Sequence, residues 1–334
     1  MTRLIRGTSE CIQATPEAIR RASDLLRQGR LVGFPTETVY GLGADAENPA
    51  AVRAMFAAKG RPADHPVIVH LADASLLGAW AAEVPQQARA LAAAFWPGPL
   101  TVILRRNRRA SDLVTGGLDT VGLRVPGHPV AQALLRTFGG AIAAPSANRF
   151  GRVSPTQARH VIEELDGLVD LVLDGGMCQV GLESTIVDLS GSQPAVLRPG
   201  GITSEQIAAV LSQSIGGSTA TTPRFSGSLS SHYAPRARVE LVDEESLVPR
   251  AAQLAAEGRR VAILAPQPLA VPPGVVLLPL PAEDEEMART LYATLRQADA
   301  LACDVVLARL PAARGLGTAI ADRLRKAAGP RDPA

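Results

Sequence analysis

Apolar and polar positions alternate along the chain with two different periods, so strand-like and helix-like segments follow one another from the start. Thr15-Pro16-Glu17 reads as a helix start, with threonine as cap and proline at the first helical position, and Gly29 closes the amphipathic stretch. An apolar strand then runs from Leu31 to Phe34, and a helix from Pro49 to Ala58 stops at Gly60. Val67–Leu71, Leu100–Leu104, Thr120–Val125 and Ala141–Ala144 read as strands, with helices over Pro85–Trp96 and from His128 between them. Ser154 reads as the cap of a helix over Pro155–Leu165. Strand-like segments at Asp170–Leu173, Thr185–Leu189 and Ala195–Arg198 precede a helix over Thr203–Leu211. This order predicts an α/β fold in which helices cover a sheet, rather than a barrel or a bundle.

The texture changes at SIGGSTATTPRFSGSLSSHYAPRAR, residues Ser214–Arg238, where Gly, Ser, Thr and Pro dominate and no period survives. That stretch reads as a linker, although His232-Tyr233 is an aromatic, hydrogen-bonding pair that a spacer does not need. Beyond it come a strand at Val239–Val242, a helix through Ala251–Ala256 and a strand at Val261–Ala265. Val275–Leu278, a helix over Glu285–Gln297, Val305–Ala308 and a helix from Thr318 complete the chain. The alternation predicts a second, smaller, parallel Rossmann-like sheet. The expected division is therefore residues 1–213, a linker over 214–238, and residues 239–334.

A length of 334 residues with 46% hydrophobic positions is enough for two buried cores. The formal net charge is only +2, so the chain as a whole is no electrostatic magnet for nucleic acid or membrane. Arg105-Arg106-Asn107-Arg108-Arg109 is the one basic run, either a solvated strand end or a phosphate contact. Cys11, Cys178 and Cys303 are far apart and show no metal-ligand or CxxC spacing, which fits a reduced cytosolic state. MTRLIRGTSE lacks the apolar core of a leader, and no apolar run is long enough to cross a bilayer, so a cytoplasmic location is expected, with no membrane partner. Only two of the 34 basic residues are lysine, Lys59 and Lys326, which singles them out as places that need a compact point charge.

No GxxxxGK[ST] occurs, so any ATP is not held by a P-loop. Gly41-Leu42-Gly43-Ala44-Asp45-Ala46 formally fits a dinucleotide fingerprint, but Pro35 and Thr36-Glu37-Thr38 separate it from the strand. At that strand end hydroxyls and a carboxylate stand beside Tyr40 and two glycines, suited either to a turn or to orienting a small polar ligand. Lys59-Gly60-Arg61 ends a helix, where cations cap carbonyls and also suit a triphosphate. The spacing of His65 and His70 puts them on opposite strand faces, which argues against a shared metal. Pro145-Ser146-Ala147-Asn148 follows an apolar strand, and ligands of α/β sheets sit beyond the carboxyl ends of strands. Ser154-Pro155-Thr156 opens a helix, a place for a cap or a phosphate. Arg124 and Arg198 lie on or beside apolar strands, so each needs an anion, from an acidic side chain or from a ligand. A cationic, hydroxyl-rich cleft of this kind works by positioning and charge neutralisation.

PTETVYGLG, KGRPADHPVIVH, FWPGPLTVIL, VGLRVPGHP, APSAN, SPT, GLESTIVDL and LRPGG occur in that order between residues 34 and 201. On these segments the chain resembles the Sua5/YrdC family of threonylcarbamoyl-AMP synthases. SHYAP and LPAARGLGTAIADRLRKAA resemble the longer Sua5 form with its additional C-terminal domain. The resemblance implies a YrdC-like twisted mixed sheet with a deep cationic groove, and a linker that closes over the active site. It implies an enzyme that turns ATP, L-threonine and bicarbonate into threonylcarbamoyl-AMP and pyrophosphate, for a tRNA adenosine modification. Downstream threonylcarbamoyl-transfer machinery would receive the product, and a weak RNA contact would be a further interaction.

By motif position, Thr36, Thr38, His70, Arg124, Ala144 and Ser184 would hold L-threonine, with Arg124 on its carboxylate. Lys59, Arg61, His65, Thr120, Ser146, Asn148, Ser154 and Arg198 would surround ATP, and His232 and Tyr233 would close over it. Lys59 and Arg61 would be catalytic, and Mg2+ would come with the ATP phosphates rather than from protein ligands. The chain departs from the family at His65, often asparagine there, and upstream of HYAP, where RFSGSLSS replaces the PGMKY form. Two other classes compete. A carbamoyltransferase of the HypF or TobZ type needs carbamoyl phosphate and further domains, and a double-stranded-RNA-binding module needs a strongly basic face.

Overall fold

The computed structural model describes residues 8–217, 224, 225, 227 and 229–330, so the readings of residues 1–7 and of part of the linker lie outside the described residues. The chain divides into two compact units. One comprises Met1–Phe150, Pro155–Gln179 and Glu183–Ser228; the other comprises Gly151–Ser154, Val180–Leu182 and Leu229–Ala334.

The strands of the first unit are β1 (Glu10–Gln13), β2 (Val32–Phe34), β3 (Gly41–Asp45), β4 (Val69–His70), β5 (Leu100–Arg105) and β6 (Thr120–Arg124). They continue with β7 (Ile142–Ala143), β8 (Leu171–Asp174), β9 (Thr185–Asp188), β10 (Ala195–Arg198) and β11 (Gly216–Gly217). All eleven form one mixed sheet in the order β1-β8-β2-β3-β7-β4-β6-β5-β9-β10-β11. Against one face pack the helices Pro49–Lys59, Gln86–Phe95, Ala158–Leu165 and Ser204–Leu211, through Met55, Leu91, Val161 and Ile207. Over β2 and β8 the other face is covered by Pro16–Arg27 and Pro129–Phe138, whose Leu26, Leu134 and Leu135 meet Phe34 and Leu173. Burying each such side chain contributes about 1.5–3 kcal/mol. Past β7 this second face changes character. Its apolar cluster of Ile103, Ile186 and Leu197, with Ile68, Ala195 and Phe225, contains no helical residue. That open stretch of sheet positions the site.

Local sequence explains most boundaries. Thr15 accepts from the Ala18 amide ahead of Pro16, and Asn48 does the same for Ala50 and Ala51 ahead of Pro49. Gly60 ends the second helix in the left-handed region at φ 64°. Three strands were not expected, β1, β3 and the two-residue β11 in the stretch read as a linker. Gly41 and Gly43, suited in sequence either to a turn or to close approach of a ligand, lie within β3, where a Cβ on Gly43 would stand 3.0 Å from Phe34 and Ile142. The glycines serve close approach, not chain reversal. Ser154 does not cap the helix expected from Pro155; that helix begins at Ala158, flanked by Gln157.

The second unit holds β12 (Arg238–Leu241), β13 (Val261–Ala265), β14 (Val275–Pro279) and β15 (Val305–Ala308). Its sheet is wholly parallel in the order β12-β15-β13-β14. The helices Glu244–Ala256, Asp284–Ala300 and Gly315–Ala327 accompany it. VAILA and VVLA are continuous apolar runs, as strands buried on both faces require. The mixed sheet and the small parallel sheet are the two layers expected from the sequence.

Candidate active site

Several of the polar residues singled out above gather at the open stretch of the second sheet face. β2 ends at Phe34, Pro35 cannot donate to a ladder, and the chain turns over Thr36-Glu37-Thr38. The turn consumes the Thr36 hydroxyl, which donates to the Val39 carbonyl (2.6 Å), accepts from the Thr38 and Val39 amides (each 3.2 Å) and bonds the Thr38 hydroxyl (2.7 Å). Thr36 braces the turn, and Thr38 faces the charged neighbour.

That neighbour is Arg124, at the end of β6 and only 4% exposed. Its Nη2 donates to Glu37 Oε1 (2.7 Å) and to the Thr38 hydroxyl (2.9 Å), and its Nε to the Gly98 carbonyl (3.2 Å). Among the described residues no acceptor takes Nη1. Glu37 Oε2 accepts from the Gly127 amide (2.9 Å). Of the two partners a buried arginine could have had, the acidic side chain is therefore present, and one nitrogen remains for a ligand.

His70 lies on β4 directly opposite Arg124. Burial first, and the Arg124 charge second, push its pKa down to about 3, so the ring is neutral near pH 7. Among the described residues its buried Nδ1 has no hydrogen-bond partner, and the ring meets Phe34 edge-on at 6.2 Å. On the other side of β6, the Ser184 hydroxyl bonds the Thr101 hydroxyl (2.8 Å) and accepts from Arg198 Nη2 (3.1 Å). Arg198 also donates to the Ser184 carbonyl through Nε (3.1 Å) and Nη2 (2.9 Å), so a backbone dipole meets the buried cation.

A second cluster forms around Lys59. This buried lysine donates to the carbonyls of Ser146 and Asn148, and so pins the loop that follows β7. Desolvation, and then the neighbouring Arg61 charge, lower its pKa well below the ordinary lysine value. Arg61 Nη2 donates to the Pro66 carbonyl (2.8 Å), and its guanidinium lies 5.6 Å from the Phe150 ring centre. The His65 ring meets Phe150 edge-on at 5.4 Å, and burial followed by the Arg61 charge depresses its pKa. The Asn148 side chain donates to the Arg149 carbonyl (2.7 Å).

Strand direction sets the distance between the two clusters. β7 runs antiparallel to β4, and β4 parallel to β6. The chain leaving β7 through Ala144 to Ser146 therefore travels toward the Thr120 end of β6, away from Arg124. Ser146 and Asn148 had been placed beyond the carboxyl end of a strand and Arg124 on or beside one; β7 and β6 run in opposite directions, so Ser146 and Arg124 lie toward opposite ends of the sheet. Arg124 and Thr120 lie on the same face of β6 about 13 Å apart. Between them Thr101, Ile103, Gly122 and Ile68 line a crevice that Thr120 also borders, with Phe225 against its apolar floor. Thr38, His70, Arg124 and Ser184 thus gather toward one end of this stretch of sheet, and Lys59, Arg61 and Ser146 toward the Thr120 end, with Ala144 on the chain that leads there.

The remaining sequence candidates belong to the second unit. Ser154 is fully buried there. Tyr233 adopts φ 59°, stacks on Tyr292 at 5.8 Å and carries the Arg323 guanidinium 5.0 Å from its ring centre. The His232 ring stands 4.2 Å from that of Tyr233, and its amide donates to the Lys326 carbonyl (3.1 Å). In the basic run, Arg106 pairs with Asp112, while Arg109 pairs with Glu47 and lies over Trp80. Two of its four arginines are thus already matched by acids. Sequence reasoning did not name Thr101, Phe150 or the Gly98 carbonyl as site components. Their signal lay in FWPGPLT and in an aromatic two residues past Asn148.

Comparisons with known proteins follow the same outline. The Sua5/YciO/YrdC family, described as "Telomere recombination", matches residues 24–200, and the "Threonylcarbamoyl-AMP synthase, C-terminal domain" family matches residues 202–329. A threonylcarbamoyl-AMP synthase of Pyrococcus abyssi is 41% identical over 324 residues, covering 94% of each chain. One of Bacillus subtilis is 43% identical over 326 residues, covering 94% of this chain and 93% of its own. The crystal structure of P. abyssi Sua5 complexed with L-threonine superposes with a TM-score of 0.88 at 39% identity, covering 96% of both chains. The chain belongs to the Sua5/YrdC family, in the long form that carries the Sua5 C-terminal domain.

Proposed function

We propose that this chain is an L-threonylcarbamoyladenylate synthase that joins ATP, L-threonine and bicarbonate and releases pyrophosphate. The observation that carries the reading is a half-satisfied arginine at one end of β6 and a lysine–arginine pair toward its other end. An amino acid and a nucleotide held side by side need that separation. Relatives bearing this activity in their names match nearly the whole chain, and a P. abyssi relative is known in complex with L-threonine.

Arg124 Nη1 would meet the threonine carboxylate, with the hydroxyls of Thr38 and Ser184 and the neutral His70 ring beside it. The threonine nitrogen bonds to the carbon of bicarbonate with loss of water, giving a carbamate. A carbamate oxygen then bonds to the α-phosphorus of ATP while the bond to the bridging oxygen breaks, and pyrophosphate leaves with that electron pair. Lys59 and Arg61 would offset the charge on the leaving phosphates, as positioning-dominated phosphoryl chemistry requires. Among the described residues no three acidic, histidine or cysteine side chains gather as metal ligands. An accompanying Mg2+ would come with the ATP phosphates, and the ion would supply further charge neutralisation. The adenylate would serve tRNA modification through a downstream threonylcarbamoyl transfer.

Incubation with ATP and bicarbonate should release pyrophosphate only when L-threonine is present, and Arg124→Ala should raise the KM for threonine far more than that for ATP. Release that ignores threonine, or no release at all, would overturn the reading.

A further inference from the structure

We propose that Glu37 is the positioning residue for the amino-acid substrate: it holds Arg124 so that only the Nη1 edge is offered to the α-carboxylate. The inference rests on the reading of Arg124 as the group that receives that carboxylate. A guanidinium has five N–H donors in a fixed plane. Here the Nε donor goes to Gly98 and both Nη2 donors go to Glu37 and Thr38, which leaves the two on Nη1. The plane cannot swing while those bonds stand. Glu37 is itself fixed, because its other oxygen holds the Gly127 amide and it sits on the turn braced by Thr36. Before substrate arrives, Glu37 also gives the buried cation a counter-charge.

Charge and positioning make opposite predictions for this residue. Glu37 lies 2.7 Å from Arg124 and cancels much of its field, so by charge alone its loss should tighten binding of a carboxylate ligand. Positioning requires the reverse. Glutamine can accept from Arg124 or from the Gly127 amide but not from both, since its amide nitrogen accepts nothing. The guanidinium would then lose its fixed plane, and misplacement by about 1 Å is worth up to about a hundredfold.

The test is calorimetric titration of the full-length protein with L-threonine and, separately, with ATP. Glu37→Gln should weaken L-threonine by about tenfold to a hundredfold and leave ATP affinity at the wild-type value. Glu37→Asp keeps the charge but falls one methylene short of its partners, and should also bind threonine more weakly than wild type. In a double-mutant cycle, Glu37→Gln should add little once Arg124→Gln is present, because it acts through that side chain. Wild-type or tighter threonine binding in either Glu37 variant, or additive losses in the cycle, would refute the positioning role and leave the assigned activity untouched. Wild-type protein that binds no L-threonine would overturn the assignment itself, and this inference with it.

Discussion

Replacing His70 with phenylalanine should flatten the acid limb of the stability curve by a calculable amount. In the unfolded chain this imidazole takes its proton near 6.5, whereas the folded protein holds it neutral down to about 3. The folded value is the lower one, so as pH falls through this window the unfolded state binds more protons and stability is lost. Above pH 6.5 the residue contributes nothing to the slope. Below it each pH unit costs about 1.4 kcal/mol, so by pH 4.5 the loss from His70 reaches about 3 kcal/mol. The cause is structural: the ring is buried beside Arg124, and among the described residues its Nδ1 has no partner to share a second proton. His65 and His128 are also depressed by burial, but both remain in the variant and cancel in the comparison. Urea unfolding of both proteins at pH 7.5 and pH 4.5 gives the needed difference. Wild type should lose about 3 kcal/mol more than His70→Phe across that interval. Equal losses would mean that His70 titrates normally in the fold, and the neutral ring beside the proposed carboxylate site would have to be given up.

Three further outcomes follow from the geometry. Gly200→Ala would place a Cβ 2.3 Å from the Glu183 carbonyl oxygen and 2.5 Å from the Thr185 nitrogen, forcing back the segment that carries Ser184. Its unfolding free energy should fall by about 1–3 kcal/mol, and threonine-dependent pyrophosphate release by about tenfold or more. Lys59→Met removes a donor from the Ser146 and Asn148 carbonyls, at about 1–3 kcal/mol each, but also removes a buried ammonium and its desolvation cost. Thermal unfolding should therefore move little while turnover drops by about a hundredfold or more, and a variant with wild-type turnover would remove Lys59 from the reaction. Asp64→Asn breaks an ion pair with Arg224 in which both side chains are more than half exposed. It should change stability by less than about 1 kcal/mol in a denaturant titration, and a larger loss would show that this pair does more than its exposure allows.

The first helix start was legible in the chain because its cap is local: Thr15 before Pro16 carries its own hydrogen-bond partner within three residues. The small parallel sheet was legible for a related reason, since VAILA and VVLA are apolar without interruption and admit few other readings. β3 was not legible, because glycines needed for contact with Phe34 look the same in sequence as glycines needed for a turn. Nor could local pattern separate Thr36 from Thr38. Both are hydroxyls two residues apart, and only the folded turn commits one to the backbone and turns the other to Arg124. The motifs named most of the residues of the two clusters, yet the distance between them came from pairing alone. An antiparallel β7 beside a β4 parallel to β6 sends Ser146 and Arg124 to opposite ends, and strand direction is a property of partners distant in the chain.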